Sequence, residues 1–562
     1  MEKRWWQEAV VYQIYCKSFC DSNGDGIGDI RGVISKLPMI KDLGVDCIWF
    51  NPLYKSPMVD NGYDISDYED IEPAYGTMDD FKELLDKAHS MGIRVIMDLV
   101  LNHTSDEHKW FKESRKSKDN PYRNFYYWRP AKPDGKEPNN WGNYFYEGRG
   151  SAWEFDEQTG EYYLHNYSYR MPDLNWEYEP LREAMYKMMR FWLDMGIDGF
   201  RLDAVNRLKK PEGLPDSQKP PTPPVGIHGY VVDRTICANV PGIHELLREI
   251  ARNTWDNYDV MTVGETGQVT ADMAPDFVGA DNHELNMIFH FELGKNAKII
   301  TPKIYKETQK RWFTVTEHNG WEAQFLSNHD TPRQVSRFGN DGEYRVESAK
   351  LLATLTHTFP GTPFVYQGEE IGMTNVYFDS IDDYDERYTV GKYYTAVEAG
   401  ADPEETLKML QPLSRDNVRT PYQWNDSENA GFTTGKPWIK VNPRYKEINL
   451  EADLKSKDSI FEYYKKIIKM RKNCPAMVDG KLDFYMFDHE SMLVYTRSCA
   501  RQTLLIIANY SDNPVKIEIP EELKSKNFTR ILSNREETSP SLLKEREEWL
   551  PWETEIYELT TN

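Results

Sequence analysis

Charged side chains follow four otherwise apolar segments, at the points where strands would end. In GFRLDAVNRL (199–208), Arg201 and Asp203 are two residues apart and therefore share one face of a strand. Three further segments end in the same way, with Asp98 and His103, with Glu265, and with His329 and Asp330. Burying a charge without a partner costs free energy. If these four charged strand ends meet in the fold, they therefore require partners or a ligand.

Three acids without an obvious metal cluster suit glycoside hydrolysis. In that reaction one carboxylate attacks the anomeric carbon, and a second one, with a raised pKa, protonates the leaving oxygen. The charge of Arg201 is expected to lower the pKa of Asp203 and keep it ionised, whereas neighbouring acids would hold Glu265 protonated. Any single acid among them has a plainer explanation, a strand that runs into a polar loop or a structural ion pair. The convergence of four strand ends favours a site for acid–base chemistry.

The elements that would position these residues are short apolar runs separated by helices. The runs are AVVYQIY (9–15), VDCIWFNP (45–52), RVIMDLVLNH (94–103), GFRLDAV (199–205), VMTVGET (260–266), ELNMIFHF (284–291), EAQFLSNHD (322–330) and TPFVYQGEE (362–370). Amphipathic helices are predicted at 77–92 and 179–196. Apolar strands that alternate with helices indicate parallel βαβ units, and a count of about eight predicts a TIM (β/α)8 barrel, whose reacting groups lie at the carboxyl ends of the strands.

Two stretches depart from this alternation. Residues 104–173 show no clear helical period and exceed an ordinary loop, so we expect a subdomain inserted after the third strand. From about residue 480 the pattern becomes alternating strand, which predicts an antiparallel β-sandwich domain. The predicted division is a catalytic barrel of 1–103 and 174–479, an inserted subdomain of 104–173 and a C-terminal domain of 480–562. The proline-rich stretch 210–230 is expected at the barrel mouth.

Composition excludes several classes of function. The formal net charge of −23 argues against a nucleic-acid partner, because phosphate binding requires a basic surface. No apolar run approaches the roughly 20 residues of a membrane span, and the first residues do not resemble a secretion signal. The six cysteines are scattered without zinc-type spacing, so reduced thiols are expected. We therefore expect a cytoplasmic enzyme without a membrane partner, as a monomer or a weak homo-oligomer.

Several motifs of the chain resemble one family of enzymes. In order and spacing, DLVLNHTS (98–105), GFRLDAVNRL (199–208), VGET (263–266) and FLSNHDTPR (325–333) resemble the four signature regions of the α-amylase family of glycoside hydrolases. SRDNVRTPYQW (414–424) resembles a segment of the oligo-1,6-glucosidase and α-glucosidase branch. The resemblance covers nearly the whole chain.

This resemblance implies a retaining mechanism and a set of roles. Asp203 matches the nucleophile, Glu265 the general acid/base and Asp330 the third acid, which binds sugar hydroxyls. The positions that match substrate-binding residues of the family are Asp60, Tyr63, His103, Arg201, His329 and Arg415. The implied activity is removal of terminal, non-reducing α-linked glucose from short oligosaccharides or disaccharides through a covalent intermediate, with some transglucosylation and no organic cofactor.

An early loop, DSNGDGIGD (21–29), has the composition of a cation site. It offers side-chain oxygens at Asp21, Asn23, Asp25 and Asp29, with a backbone carbonyl near Ile27. Oxygen ligands at alternating positions suit a hard cation, and the equivalent loop of the related branch binds Ca²⁺ or Mg²⁺. The alternative is an Asx-rich turn without metal. We expect one structural Ca²⁺ or Mg²⁺.

The substrate stays open at this stage. In the related branch, valine after the nucleophile usually accompanies α-1,6 cleavage, and smaller or polar residues accompany α-1,4 or broad specificity. Ala204 occupies that position, but a methyl-sized difference in a pocket is worth only about 1–3 kcal/mol. Alternatives are a sucrose-directed glucosidase or isomerase and a trehalose-6-phosphate hydrolase. A non-catalytic, transporter-associated relative is the remaining alternative. Such a relative would carry a membrane anchor, and some members of that class lack the acids that this chain retains.

Overall fold

Eight parallel strands form the central sheet of this computed structural model, which describes residues 4–148, 150–221, 229–295, 300–535, 542–543 and 546–560. The strands are β1 (Val11–Ile14), β2 (Cys47–Phe50), β3 (Arg94–Val100), β4 (Gly199–Asp203), β5 (Met261–Glu265), β6 (Met287–Phe289), β7 (Ala323–Gln324) and β8 (Thr362–Tyr366). Their order is β6–β5–β4–β3–β2–β1–β8–β7. A parallel bridge between Ile288 and Glu322 joins the two outer strands and closes the sheet. The predicted TIM barrel is confirmed.

Helices follow the strands as the alternation predicts. The longer ones are Ile30–Leu43, Met78–Ser90, Glu179–Met195, Ile243–Asn253, Pro302–Glu317, Arg345–Thr358, Arg387–Glu398, Pro403–Leu410 and Ile460–Asn473. Shorter α-helices are Trp5–Glu8, Lys109–Ser114, Ala274–Val278, Glu292–Lys295, Gln334–Phe338, Asp416–Arg419, Leu450–Lys455, Pro475–Asp479 and Glu521–Lys524. Thr77 and Asp80 form a reciprocal capping box that starts the helix after β2. The two helices predicted from periodicity are therefore present.

The region between β3 and the helix Glu179–Met195 contains a small sheet of its own. Its antiparallel strands are Trp128–Arg129, Trp153–Asp156 and Glu161–Leu164. The short helix Lys109–Ser114 was not predicted, because six residues are too few to show a helical period. Of the proline-rich stretch, 222–228 lies outside the described residues, and its described part packs on this region: Trp141 Nε1 donates to the Pro215 carbonyl.

The C-terminal part is an antiparallel β structure, as predicted. Five strands pair in the order Lys481–Tyr485, Met492–Cys499, Gln502–Asn509, Thr554–Leu559 and Phe528–Ser533. A two-stranded ribbon, Val515–Lys516 and Glu548–Trp549, contributes Trp549 to the apolar cluster that also contains Leu505 and Ile507. Among the described residues, no helix is both long and apolar enough to cross a bilayer.

The register of three neighbouring strands determines where the charged residues lie. Arg201 of β4 pairs with Asp98 of β3 on one side and with Val263 of β5 on the other. The start of β4 is held close to β5, because a Cβ at Gly199 (φ 139°) would lie 1.9 Å from the Met261 carbonyl oxygen. Glycine is therefore required at the first residue of β4.

Candidate active site

One guanidinium gathers three carboxyl groups from three adjacent strands. Arg201 Nη1 donates to Asp98 Oδ1 at 2.9 Å and to Asp203 Oδ1 at 2.8 Å, and Nη2 donates to Glu265 Oε2 at 2.7 Å. Arg201 and Asp203 lie on the same face of β4, as their spacing predicted. Arg201 and Asp98 are fully buried, whereas Asp203 and Glu265 keep some exposure to the cavity above them. Both Nη atoms of the buried guanidinium thus contact carboxylates, whereas its Nε has no hydrogen-bond partner.

Burial controls the protonation of the two acids that face the cavity. Burial raises the pKa of Glu265 to about 7; Arg201 opposes this shift and Asp203 adds to it. Burial also raises the pKa of Asp203, although Arg201 lowers it. The sequence argument correctly gave the direction of the Arg201 effect, but it omitted the larger effect of desolvation. With a pKa of about 7, Glu265 holds its proton in the weakly acidic range and releases it as the pH rises through neutrality.

Asp330 has the opposite environment. Although burial raises its pKa, Arg415, His329 and Arg419 together hold that pKa well below the usual range. Arg419 Nη2 donates to Asp330 Oδ1 at 3.0 Å, and Arg415 Nη1 lies 3.3 Å from the same oxygen. Asp330 is therefore a permanent anion beside two acids that can hold a proton.

A polar network fixes His329 at the floor of the site. Gln13 Nε2 lies 2.9 Å from Nδ1 of His329, and Tyr63 Oη lies 2.8 Å from Nε2. Since an amide N–H can only donate, Nδ1 is the acceptor and the ring proton is assigned to Nε2. Tyr63 donates in turn to Asp98, and its ring stacks on that of His329 at a centroid distance of 5.3 Å. Burial lowers the pKa of His329 to about 3, so the ring is neutral.

A cavity of about 280 Å³, open to solvent, collects most of the predicted site residues. It is lined by Asp60, Tyr63, His103, Asp203, Glu265, Asp330 and Arg415. Arg201 and His329 contact these residues from below, and Arg415 also lies 3.7 Å from Glu386. No ion pair joins Asp60 to Arg415 in the described chain, but both face the same space. All six predicted substrate-binding positions and all three predicted acids thus lie together at one cavity.

A buried lysine ties the inserted region to the barrel. Lys210 Nζ lies 2.9 Å from Asp173 Oδ2 and donates to Asn102 Oδ1 at 2.7 Å and to the Arg207 carbonyl at 2.8 Å. Asn102 precedes His103, whose Nε2 lies 3.2 Å from the Tyr63 carbonyl. Lys210 therefore joins the loops after β3 and β4 beneath the cavity.

The residue after Asp203 has an unusual backbone. Ala204 lies in the left-handed region, at φ 43° and ψ 36°, a conformation that costs roughly 1–2 kcal/mol for a residue with a Cβ. Its N–H donates to Glu265 Oε2 at 3.2 Å. The strained turn thus directs a backbone donor at Glu265 and places the Ala204 methyl group in the cavity wall.

The loop 21–29 lies apart from the cavity and contacts the segment around Thr433. Asp21 accepts hydrogen bonds from Gly24, Gly26 and Thr433, and Asp29 accepts from Ser22 and Gly32. The loop residues Asn23, Asp25 and Ile27 follow in a series of Asx turns. Among the described residues, no group of three or more His, Cys, Asp or Glu side chains is arranged as a metal site. The donor set of this loop includes an amide and a carbonyl oxygen, so it fits a hard cation by chemistry.

Sequence reasoning missed three arginines of the site. Arg419 contacts Asp330, and Arg207 and Arg234 line the cavity. Arg207 is four residues after Asp203 in a turn, and Arg234 follows the proline-rich stretch, so neither stands at a strand end. Arg419 could have been found, because it is four residues after Arg415, and residues at that spacing lie on the same face of a helix. The two arginines stand at the start and end of the short helix Asp416–Arg419.

Comparison with known proteins agrees with this geometry. The profile described as "Alpha amylase, catalytic domain" matches residues 13–480. A protein of Parageobacillus thermoglucosidasius named oligo-1,6-glucosidase is 50% identical over 569 residues, with 100% of each chain covered.

Two solved structures are also similar over the full length. The trehalose-6-phosphate hydrolase of Bacillus licheniformis is 43% identical with a TM-score of 0.91, and 100% of each chain is covered. The trehalulose synthase of Pseudomonas mesoacidophila MX-45 is 40% identical with a TM-score of 0.92, again with 100% of each chain covered. The three relatives are named for different activities although their sequences are comparably similar to this chain. Sequence similarity alone therefore does not identify the substrate.

The buried Lys210–Asp173 pair gives a prediction about stability. Lys210→Met leaves the Asp173 carboxylate buried without its cation and is expected to lower the free energy of unfolding by about 3–5 kcal/mol. The matched control is Lys209→Met, because Lys209 pairs with Glu177, which is half exposed, and its loss should cost about 0–1 kcal/mol. Denaturant unfolding followed by fluorescence measures both. If both substitutions lowered the free energy of unfolding equally, the buried pair would contribute no more to stability than the exposed one.

Proposed function

The chain belongs to the α-amylase family of glycoside hydrolases, and on that premise we propose that it is a retaining α-glucosidase. It removes single α-linked glucose units from the non-reducing ends of short oligosaccharides or disaccharides. Both α-1,6 and α-1,4 linkages are included, because Ala204 leaves more room beside the scissile bond than valine. The named activity of the P. thermoglucosidasius relative supports the α-1,6 part of this proposal.

The reaction proceeds in two balanced steps. In the first, an Asp203 oxygen attacks the anomeric carbon, the bond to the leaving oxygen breaks, and Glu265 gives that oxygen its proton. In the second, the Glu265 carboxylate takes a proton from water, whose oxygen displaces Asp203 and restores the original anomeric configuration. A sugar hydroxyl in place of that water gives transglucosylation.

The observation that carries this proposal is the pair of carboxyls on one guanidinium. Arg201 contacts Asp203 through Nη1 and Glu265 through Nη2, so one guanidinium holds the two acids next to each other at the cavity. Retaining enzymes hold their two carboxyls about 5–5.5 Å apart, whereas inverting enzymes need more room for a water. Because Asp203 raises the pKa of Glu265, loss of the Asp203 charge on glucosylation lowers that pKa and prepares Glu265 to act as a base.

The remaining site residues bind the glucose. Asp330 is a fixed anion that accepts hydrogen bonds from two sugar hydroxyls, and His103 and His329 are neutral donors or acceptors beside it. Asp60 and Arg415 bind the hydroxyls of the non-reducing end, which limits the site to one glucose unit.

The cysteines bear on the compartment in which the enzyme works. The six cysteines form no disulfide, which supports a reducing compartment such as the cytoplasm.

The proposal is tested by the product and by one variant. Isomaltose, panose, maltose, sucrose and trehalose are each incubated with the enzyme, and ¹H NMR is expected to show α-glucose released first. Asp203→Asn keeps the side-chain size and is expected to lower kcat/KM by about 10⁴-fold with folding unchanged. The control Asp259→Asn removes an exposed carboxyl before β5 and should be neutral. Release of β-glucose, or no turnover of any of these sugars, contradicts the proposal.

The pKa of Glu265 predicts the alkaline limb of the pH profile. The acid form is needed for the first step and is present below its pKa, so kcat/KM is expected to fall as the pH rises through about 7. At low pH, kcat/KM falls as Asp203 is protonated. Because Asp203 and Glu265 interact, the two apparent pKa values of the profile belong to the pair and not to either residue alone. The profile is measured with p-nitrophenyl α-glucoside from about pH 4 to about pH 9. A constant kcat/KM across pH 7 would exclude Glu265 as the acid.

We also propose that the loop 21–29 holds one Ca²⁺ or Mg²⁺ with a structural role. Asp21, Asn23, Asp25, the Ile27 carbonyl and Asp29 would supply oxygens. The ion would offset two of the three negative charges and fix the loop that leads to the helix Ile30–Leu43. The ion takes no part in the chemistry, because these residues do not line the cavity.

Metal removal tests this site through stability rather than activity. Millimolar Ca²⁺ or Mg²⁺ is expected to raise the thermal unfolding midpoint over that in EDTA, because an ion that binds only the folded state stabilises it. Asp25→Ala should abolish the increase, and Asp86→Ala, which removes an exposed carboxylate from the helix Met78–Ser90, should preserve it. The same midpoint in EDTA and in both ions contradicts the proposal.

A further inference from the structure

One wall of the cavity carries positive charge that the proposed reaction does not use. Arg207 donates through Nη1 to Tyr144 Oη at 3.2 Å and to the Arg234 carbonyl at 2.7 Å. The Arg234 guanidinium lies between the rings of Tyr144 and Tyr388, and Lys392 Nζ lies 4.5 Å from the Tyr388 centroid. Arg207 and Arg234, which line the cavity, are called the cationic wall below; Lys392 is not among the lining residues.

The cationic wall lies on the side of the leaving group. Glu265 gives its proton to the leaving oxygen, so the leaving group must extend past Glu265. The next cavity residues along the chain are Gly267 and Gln268, and a Cβ at Gly267 would lie 3.4 Å from Arg207 Nη2. Arg207 and Arg234 line the same cavity as Glu265, whereas Asp60 and Arg415 were assigned to the glucose.

In the described part of the chain, the cationic wall makes no direct ion pair, although the charge of Glu265 acts on Arg207 from a longer distance. Of the described residues, none places a carboxylate oxygen within 4.0 Å of the cationic atoms of Arg207 or Arg234. The other cationic groups of the site differ in this respect, because Arg201, Arg415 and Arg419 each contact a carboxylate. Arg207 is only 8% exposed, and a buried cation without a counter-ion is costly unless a ligand supplies one.

We propose that the cationic wall selects α-glucosides whose leaving group carries a negative charge, as a phosphate ester or a carboxylate. Two guanidinium groups present planar donors that match the oxygens of such anions, and arginine is the residue best suited to this contact. With a formal net charge of −23 for the whole chain, the positive potential of the wall is local and directs an anion to this side of the cavity. This inference rests on the proposed α-glucosidase activity and specifies its leaving group.

The test compares pairs of glucosides that differ in the charge of the leaving group. The pairs are trehalose with trehalose 6-phosphate, sucrose with its fructose-6-phosphate analogue, and glucosylglycerol with glucosylglycerate. At low ionic strength, kcat/KM is expected to be at least about 10-fold higher for the charged member of at least one pair. A higher kcat/KM for the charged member of the first two pairs would identify the group on the leaving group as a phosphate ester. A higher value for the charged member of the third pair would identify it as a carboxylate.

Variants separate a charge effect from a structural one. Arg207→Gln is expected to reduce the ratio of charged to neutral kcat/KM by about 10–100-fold, and Arg207→Lys to restore part of it. The control Lys526→Gln removes one exposed positive charge from the C-terminal domain and should leave the ratio unchanged. Added NaCl should reduce the ratio in the unmodified protein.

The two proposals fail in different ways. If neutral glucosides are hydrolysed and no charged member is preferred, the cationic wall does not select an anion, while the proposed activity stands. Equal loss on neutral and charged substrates in Arg207→Gln also overturns the inference, because Arg207 then only supports the loop or binds hydroxyls. If no glucoside of either kind is turned over, the proposed activity itself is wrong.

Discussion

The site depends on one buried guanidinium. Arg201 holds carboxyls from β3, β4 and β5, so three strands of the barrel meet at a single cation. Three carboxyls so close together repel one another when ionised, and without Arg201 they would either separate or take up protons. The parallel register that places Asp98 beside Arg201 is therefore an electrostatic requirement as well as a packing one. The proton on Glu265 follows from the same arrangement, because one positive charge does not balance three negative ones.

The two halves of the cavity differ in how their charges are balanced. In the half that we assign to the glucose, Asp330 is balanced by Arg415 and Arg419, so a neutral sugar bound there would leave no charge uncompensated. In the half that we assign to the leaving group, Arg207 and Arg234 are held by a tyrosine hydroxyl, carbonyl groups and aromatic rings. The inserted region and the loop after β4 supply that second half, and Lys210 ties them together. Variation in these loops can change the leaving group without disturbing the acids on the strands.

Much of the architecture was predictable from the sequence, because it depends on local patterns. The eight apolar runs predicted the eight strands, and the charges at their ends predicted that Asp203, Glu265 and Asp330 would meet. The short helix Lys109–Ser114 was missed for lack of periodicity. Arg207 and Arg234 were missed because their positions depend on loop conformation, which no pattern encodes. Arg419 was missed although its spacing of four residues from Arg415 was a usable signal. The pKa of Asp203 depends on desolvation, a property of the assembled fold and not of its neighbour Arg201 alone. The domain boundaries and the cation loop stay predictions.

The left-handed backbone of Ala204 constrains how this enzyme can diverge. A β-branched side chain fits that conformation poorly, so a change to valine would alter both the width of the cavity and the strain of the turn that directs an N–H at Glu265. The width of the cavity beside Asp203 and the backbone donor to Glu265 therefore depend on the same residue, and neither can be changed there without affecting the other.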